Sequence, residues 1–479
     1  MDEFLFSVRR DGTVQLDSYE GKEKHVVIPD HYDGKPVTMI ADNAFSWLSS
    51  IQSVVIPDTV TTLGEAAFSW CESLATVSIP QTVKVIGEWC FIGCSSLKSI
   101  SIPPAVRKIN YSTFQSCISL STVSLPDSLH LIGPEAFAEC RSLRFITLPK
   151  SLTELGDNAF ASCDALTSVN IPDRLQKIGN GAFSGCTALS AITVSPEHTV
   201  FMSDDNVLIN KKDHRLLFYP FEKRSKDYTV PDGVAVIDED AFANRVHLES
   251  VTLPDSVHVL EQKAFYGCKN LKSITLPESV SRISSNAFHG CSSLAEIVLP
   301  EGLGAIEYSA FYACASLVSI RIPDSVRFIS SCAFSGCSSL KEVNLPDGIV
   351  DIGESAFEGC RSLETVVLPR TLRTLGAHAF GSCSLLERVT FRPGLRSLPA
   401  MVFSRCENLN RVDLPDTLEE IGSEAFENCE NLLSLQLPSG VSSIEPDAFS
   451  ECRHLMLFVY PDSYAMDYAR DRGILFSEL

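Results

Sequence analysis

The chain has 479 residues and a formal charge of -21, from 39 basic and 60 acidic side chains. So much acid excludes a phosphate-tracking nucleic-acid surface, which needs a clustered basic stripe, and it disfavours contact with anionic membranes. The length exceeds what one compact core serves and suits a quasi-linear stack whose parts pack only on their neighbours.

No run approaches the roughly 18 apolar residues that cross a bilayer, so no membrane insertion is expected. The first residues, MDEFLFSVRRDG, are acidic and lack the apolar centre of about 7 to 15 residues that marks a secretory signal. By sequence the chain is therefore cytoplasmic, or the segment that exported it is missing.

Residues 1–44 read as an N-terminal unit ahead of a repeat. From residue 45 phenylalanine keeps time: Phe45, Phe68, Phe91, Phe114, Phe137, Phe160 and Phe183 stand 23 residues apart. Proline follows twelve residues later in most copies, as in Pro57, Pro80, Pro103, Pro126, Pro149 and Pro172. Two columns held in phase over this distance predict a solenoid, with one coil per repeat. In Thr76-Val77-Ser78-Ile79-Pro80 the alternation points Val77 and Ile79 inward, and the proline ends the strand. Val83 and Ile86 offer a second inward pair, and a short helical bend at Phe91 is expected to drop its ring into the core.

The first block of repeats covers 45–194, and an insertion at 195–230 follows it. Phe183 and Phe242 are 59 residues apart, out of phase with the period. Within the gap, 207–210 and 215–219 read as two strands joined by the polar turn 211–214, a β-hairpin. Phe218, Tyr219 and Phe221 would cover an edge or form a protruding contact. Asp204, Asp205 and Asn206 hold oxygen atoms, but no further calcium ligands follow at loop spacing. The second block, 231–460, carries phenylalanine every 23 residues from Phe242 to Phe449, which makes 17 coils in all. In the late copies Phe391-Arg392-Pro393 moves the proline by one place, and a local bend is expected there. Residues 461–479 close the chain.

The pattern C-x-x-L-x-x-V-x-L-P-x-x-V-x-x-I-x-x-x-A-F, clear in CESLATVSIP at residues 71–80, resembles the BspA-type leucine-rich repeat. The segment 4–45 looks like that family's opening unit, and DSYAMDYARDRGILF at 462–476 like its closing helix and strand. The resemblance implies an α/β repeat solenoid, right-handed, with a parallel sheet on its concave side. It also implies a microbial surface protein that binds host matrix proteins or other cells.

Fifteen of the 17 cysteines stand three residues after the phenylalanine. Rungs about 4.8 Å apart with parallel side chains suit neither a disulfide nor tetrahedral zinc. The ladder is therefore expected to be structural, and no metal or cofactor is expected. No zinc-hydrolase histidine pair, nucleophile elbow or phosphate-binding glycine loop occurs, so an enzyme is not expected.

If the chain binds a partner, the outward strand positions are the eighth and tenth residues after each phenylalanine. Of these 34 positions, 18 are Ser or Thr, which makes a flat polar face without hot spots. The exceptions are Phe145 in the first block and Glu296, Arg321, Glu342, Arg388, Arg411 and Asp413 in the second. These seven are the candidate protein-binding residues. The expected function is non-catalytic protein binding by a monomer, in adhesion or another cell-surface interaction, with an intracellular scaffold as the alternative.

Overall fold

The computed structural model describes residues 3–479. They fall into two compact units, the first ending at Lys223 and the second running from Arg224 to Leu479. Both are built from the 23-residue coil, whose three sides each make their own backbone ladder. On the first side, short strands such as Ser53–Val55 and Thr76–Ser78 pair in parallel, with Val54 beside Val77. On the second, two-residue strands such as Thr62–Leu63 and Val85–Ile86 do the same. In the coil that holds it, Val83 and Ile86 are buried as their spacing demands.

The third side departs from expectation. No helical bend forms at the phenylalanines; instead the residues two before and two after are left-handed in every coil but the last, as with Ala66 and Trp70 at φ 51° and 57° around Phe68. This conformation aims alternate N–H groups at the next coil. Ala66, Phe68 and Trp70 donate to the carbonyls of Glu88, Cys90 and Ile92 at 2.7–2.8 Å. A helix would spend those donors within its own turn and leave adjacent coils unjoined. Among the described residues the only helix is Tyr464–Arg472, capped by Ser463 and ended by left-handed Gly473. The fold is thus a parallel-strand solenoid with almost no helix, and the α/β expectation is corrected on that ground.

Inside, the phenylalanine rings form a row in each unit. Phe68 and Phe91 lie 5.3 Å apart and 3° from parallel, and Phe311 and Phe334 repeat those values. Each row is closed at both ends by an aromatic ring: Tyr19 and Phe218 in the first unit, Tyr228 and Tyr468 in the second. At the displaced proline the row loosens, with Phe380 and Phe403 at 6.0 Å and Phe391 turned edge-on to Phe403. At Phe391-Arg392-Pro393, where a bend is expected, the structure shows a widened ring spacing.

The cysteine ladder has a specific task. Each of the fifteen thiols donates to the carbonyl of the phenylalanine 26 residues earlier, at 2.9–3.3 Å. Only a small side chain with a weak donor fits a dry site facing a carbonyl that its own coil half-satisfies. The column begins one coil late in both units, with Leu48 and Arg245 in the first places. Burial pushes the thiols of Cys71, Cys117, Cys268, Cys337 and Cys406 up to about 12.

Close approach between coils also explains one glycine column. A Cβ on Gly376 would meet the Glu354 nitrogen at 2.3 Å and the Gly353 carbonyl carbon at 2.4 Å. Backbone cannot swing away as a side-chain tip can, so Gly376→Ala is expected to cost about 1–3 kcal/mol, read as a lower urea midpoint.

The insertion holds one strand more than expected. Phe201–Asp204, Val207–Asn210 and Arg215–Phe218 form an antiparallel meander. Asp205 and Asn206 are both left-handed, at φ 47° and 65°, which is the type I′ turn that matches strand twist. Thus the acidic pair at 204–206 serves a hairpin turn, and the Asp205 carboxylate pairs with Lys223. Phe218 and Tyr219 are buried rather than protruding.

Candidate protein-binding face

The outward strand positions are exposed or half-buried as the alternation requires, except at the last coil. Residues 295–299 form no strand, and the coil of Phe145 contributes only an isolated bridge to Ser168. At the last coil the register slips by one, Met456 pairing with Ser434 over 22 residues. Leu457 and Val459, outward by simple counting, are therefore buried, and Met456 faces out instead.

The seven candidate residues do not form one cluster. Phe145 is 66% exposed and stands in the first unit. Glu296 is exposed on the coil without a strand. Arg388 and Arg411 are direct neighbours on parallel strands, and both reach Asp413, at 3.8 and 3.1 Å. Thr390 donates to Oδ2 of that carboxylate, the oxygen that Arg388 faces, at 3.2 Å. Two guanidinium groups thus share one carboxylate. Arg321 lies beside Asn344, and Glu342 beside Ser319; Arg321 also meets Glu301 at 3.3 Å.

Arg321 and Glu342 line a shallow groove of about 740 Å³, together with Asn344, Thr365, Val367 and Arg392. Arg392 was not among the candidates. The extra residue before Pro393 carries it to Asp347, 45 residues earlier, which it meets with Nη1 at 2.7 and 2.9 Å. Arg370 holds the same carboxylate at 3.0 and 3.1 Å. Desolvation works to raise the pKa of Asp347, but the Arg370 N–H and the two guanidinium charges outweigh it and hold the carboxyl low. The displaced proline was the signal in the sequence; that a side chain would bridge two coils needed the stack itself.

Exposed guanidinium groups on a flat sheet can grip carboxylates in pairs of parallel hydrogen bonds. Among the described residues no three His, Cys, Asp or Glu side chains converge as a metal site requires, and no helix is long and apolar enough to cross a membrane.

A family model for the BspA type leucine-rich repeat region matches residues 23–133, 107–204, 217–341 and 328–456. Among solved structures, the chain is similar to a leucine-rich cell surface protein of Faecalibacterium prausnitzii A2-165. That similarity has 29% identity over 86% of this chain and 93% of that one, with a TM-score of 0.53. A leucine-rich repeat protein of Bacteroides ovatus ATCC 8483 is 24% identical over 100% of this chain and 99% of that one, with a TM-score of 0.45. No curated protein matches the sequence.

Proposed function

We propose, because the chain belongs to the BspA-type leucine-rich repeat family, that it is a non-catalytic protein-binding solenoid acting at a cell surface, in adhesion or another contact with a host or neighbouring cell. The binding side is the strand face, concave in the right-handed coil that this reading assumes. The observation that carries it is the arginine set of the second unit: Arg321, Arg388 and Arg411, with Arg392, on an otherwise Ser- and Thr-rich sheet. In a chain of charge -21, such a set selects acidic segments of a partner. The likeness to a cell surface protein of F. prausnitzii supports the surface setting.

An intracellular scaffold is the second reading, favoured by 17 free thiols, which oxidising surroundings would threaten. Burial weakens that objection to export, since only Cys332 and Cys452 are not fully buried. Fractionation of the native cells separates the two readings; recovery from cytosol alone would remove the surface setting.

Reversing Arg321, Arg388 and Arg411 to glutamate is expected to cut binding of an acidic partner at least tenfold. The Tm should stay nearly constant, because exposed ion pairs contribute only about 0–1 kcal/mol. The partner would be captured with the intact chain and its Kd measured against both proteins. Equal affinities would exclude the arginine set from binding.

A further inference from the structure

All three tryptophans of the chain lie on the turn side of its first three coils. Trp47 and Trp70 hold the place two after the phenylalanine, and Trp89 the place two before. These are the left-handed places, with φ of 65°, 57° and 53°. Bulky side chains are uncommon there, and glycine fills the same position at Gly93, Gly185, Gly267, Gly290, Gly336 and Gly359. Core packing does not account for Trp47, and Trp70 and Trp89 are only half-buried. Trp47 is 68% exposed, whereas every ring of the phenylalanine row next to it is buried.

The indoles are ordered into a surface. Trp70 lies flat across Gly93, where a Cβ would meet its ring at 2.4 Å. Trp47 stacks on Trp70 at 5.3 Å and 10°. Trp89 meets Tyr111 edge to face at 5.4 Å. The inner face of Trp47 is covered by Trp70 and its outer side is open to solvent.

Charge identifies what fits. The turn segments 42–49, 65–72, 88–95 and 111–118 hold Asp42, Glu65, Glu72 and Glu88 and no lysine or arginine. All four carboxylates belong to exposed residues. An indole face attracts a cation, most strongly for tryptophan among the aromatic side chains, and surrounding carboxylates reinforce that attraction. We propose that this strip is a second docking surface, separate from the strand face, for a lysine- or arginine-rich segment of a protein partner.

Because no other tryptophan exists, emission excited beyond the tyrosine absorption band reports on these three indoles alone. Titration with a decalysine peptide is expected to quench or shift it saturably, with affinity falling as salt rises. Decaglutamate should leave it unchanged. Calorimetry with decalysine should show affinity at least fivefold weaker in Trp47→Ala and in the triple variant Glu65→Gln, Glu72→Gln, Glu88→Gln, each keeping the wild-type Tm. Glu354→Gln with Glu358→Gln, in the second unit, should bind as the wild type does. Decalysine binding without a change in emission, or equal affinity in Trp47→Ala, would overturn the proposal. So would self-association in sedimentation that Trp47→Ala abolishes, since it would assign the face to a second copy of the chain.

Discussion

Replacing Phe334 by alanine is expected to cost about 3–5 kcal/mol, the range for deleting a buried aromatic side chain. The ring is fully buried and contacts Phe311 at 5.3 Å on one side and Phe357 at 5.2 Å on the other. The coil cannot collapse to fill the void, because its backbone is held on three sides at a fixed spacing from its neighbours. A loss of this size is a large part of a domain's usual 5–15 kcal/mol. In a stack whose parts contact only neighbours, it also weakens the join between the coils on either side. Urea unfolding should therefore show both a lower midpoint and a broader transition. Phe449→Ala, at the end of the row where Tyr468 meets the ring edge-on at 6.2 Å, should cost clearly less. Equal losses at the two sites would contradict a row that carries stability by stacking.

Alkaline pH should unfold the second unit steeply. Nine ladder thiols, from Cys268 to Cys452, lie in it. Desolvation raises them all, Cys337 and Cys406 to about 12 and Cys452 to about 11. An unfolded thiol ionises near pH ~8.5. A raised folded-state pKa means stability that is whole below the unfolded value and drains away as pH climbs toward the folded one. Each thiol then removes about 1.4 kcal/mol per pH unit, so nine unfolding together remove roughly 12 kcal/mol per unit. That rivals the whole stability of a domain. Circular dichroism should show structure lost between about pH 9 and 10.5, with thiolate absorbance appearing at the same pH and not before. Converting Cys360 and Cys383 to alanine should lower stability at neutral pH yet make its fall with pH less steep. A fold intact at pH 11 would refute the argument.

Both expectations rest on columns that are visible in one dimension. The period, the phenylalanine row, the inward pairs and the structural role of the cysteines could all be read from spacing, because every copy repeats the same environment and the copies serve as each other's control. What a cysteine does was not visible. Its partner, the phenylalanine carbonyl 26 residues earlier, is a backbone atom, and only the stacking of one coil on the next brings them together. The same reason hid the left-handed turns: apolar spacing does not distinguish a helical bend from a turn that donates its N–H groups sideways.

For the candidate face the division is similar. Alternation picked out Arg388, Arg411 and Asp413, which the stack sets side by side, but it also gathered Phe145, which belongs to the first unit, and Glu296, whose coil forms no strand. It misplaced Leu457 and Val459, since a one-residue slip reverses the facing of a strand. Arg392 and Asp347, 45 residues apart, and the tryptophan strip depend on which turn follows which and at what height. The repeat by itself therefore determined that the chain is a BspA-type stack and which side chains build its interior. Tertiary structure decided how the backbone donors are satisfied and which surface side chains meet, because those pairings join residues in different coils.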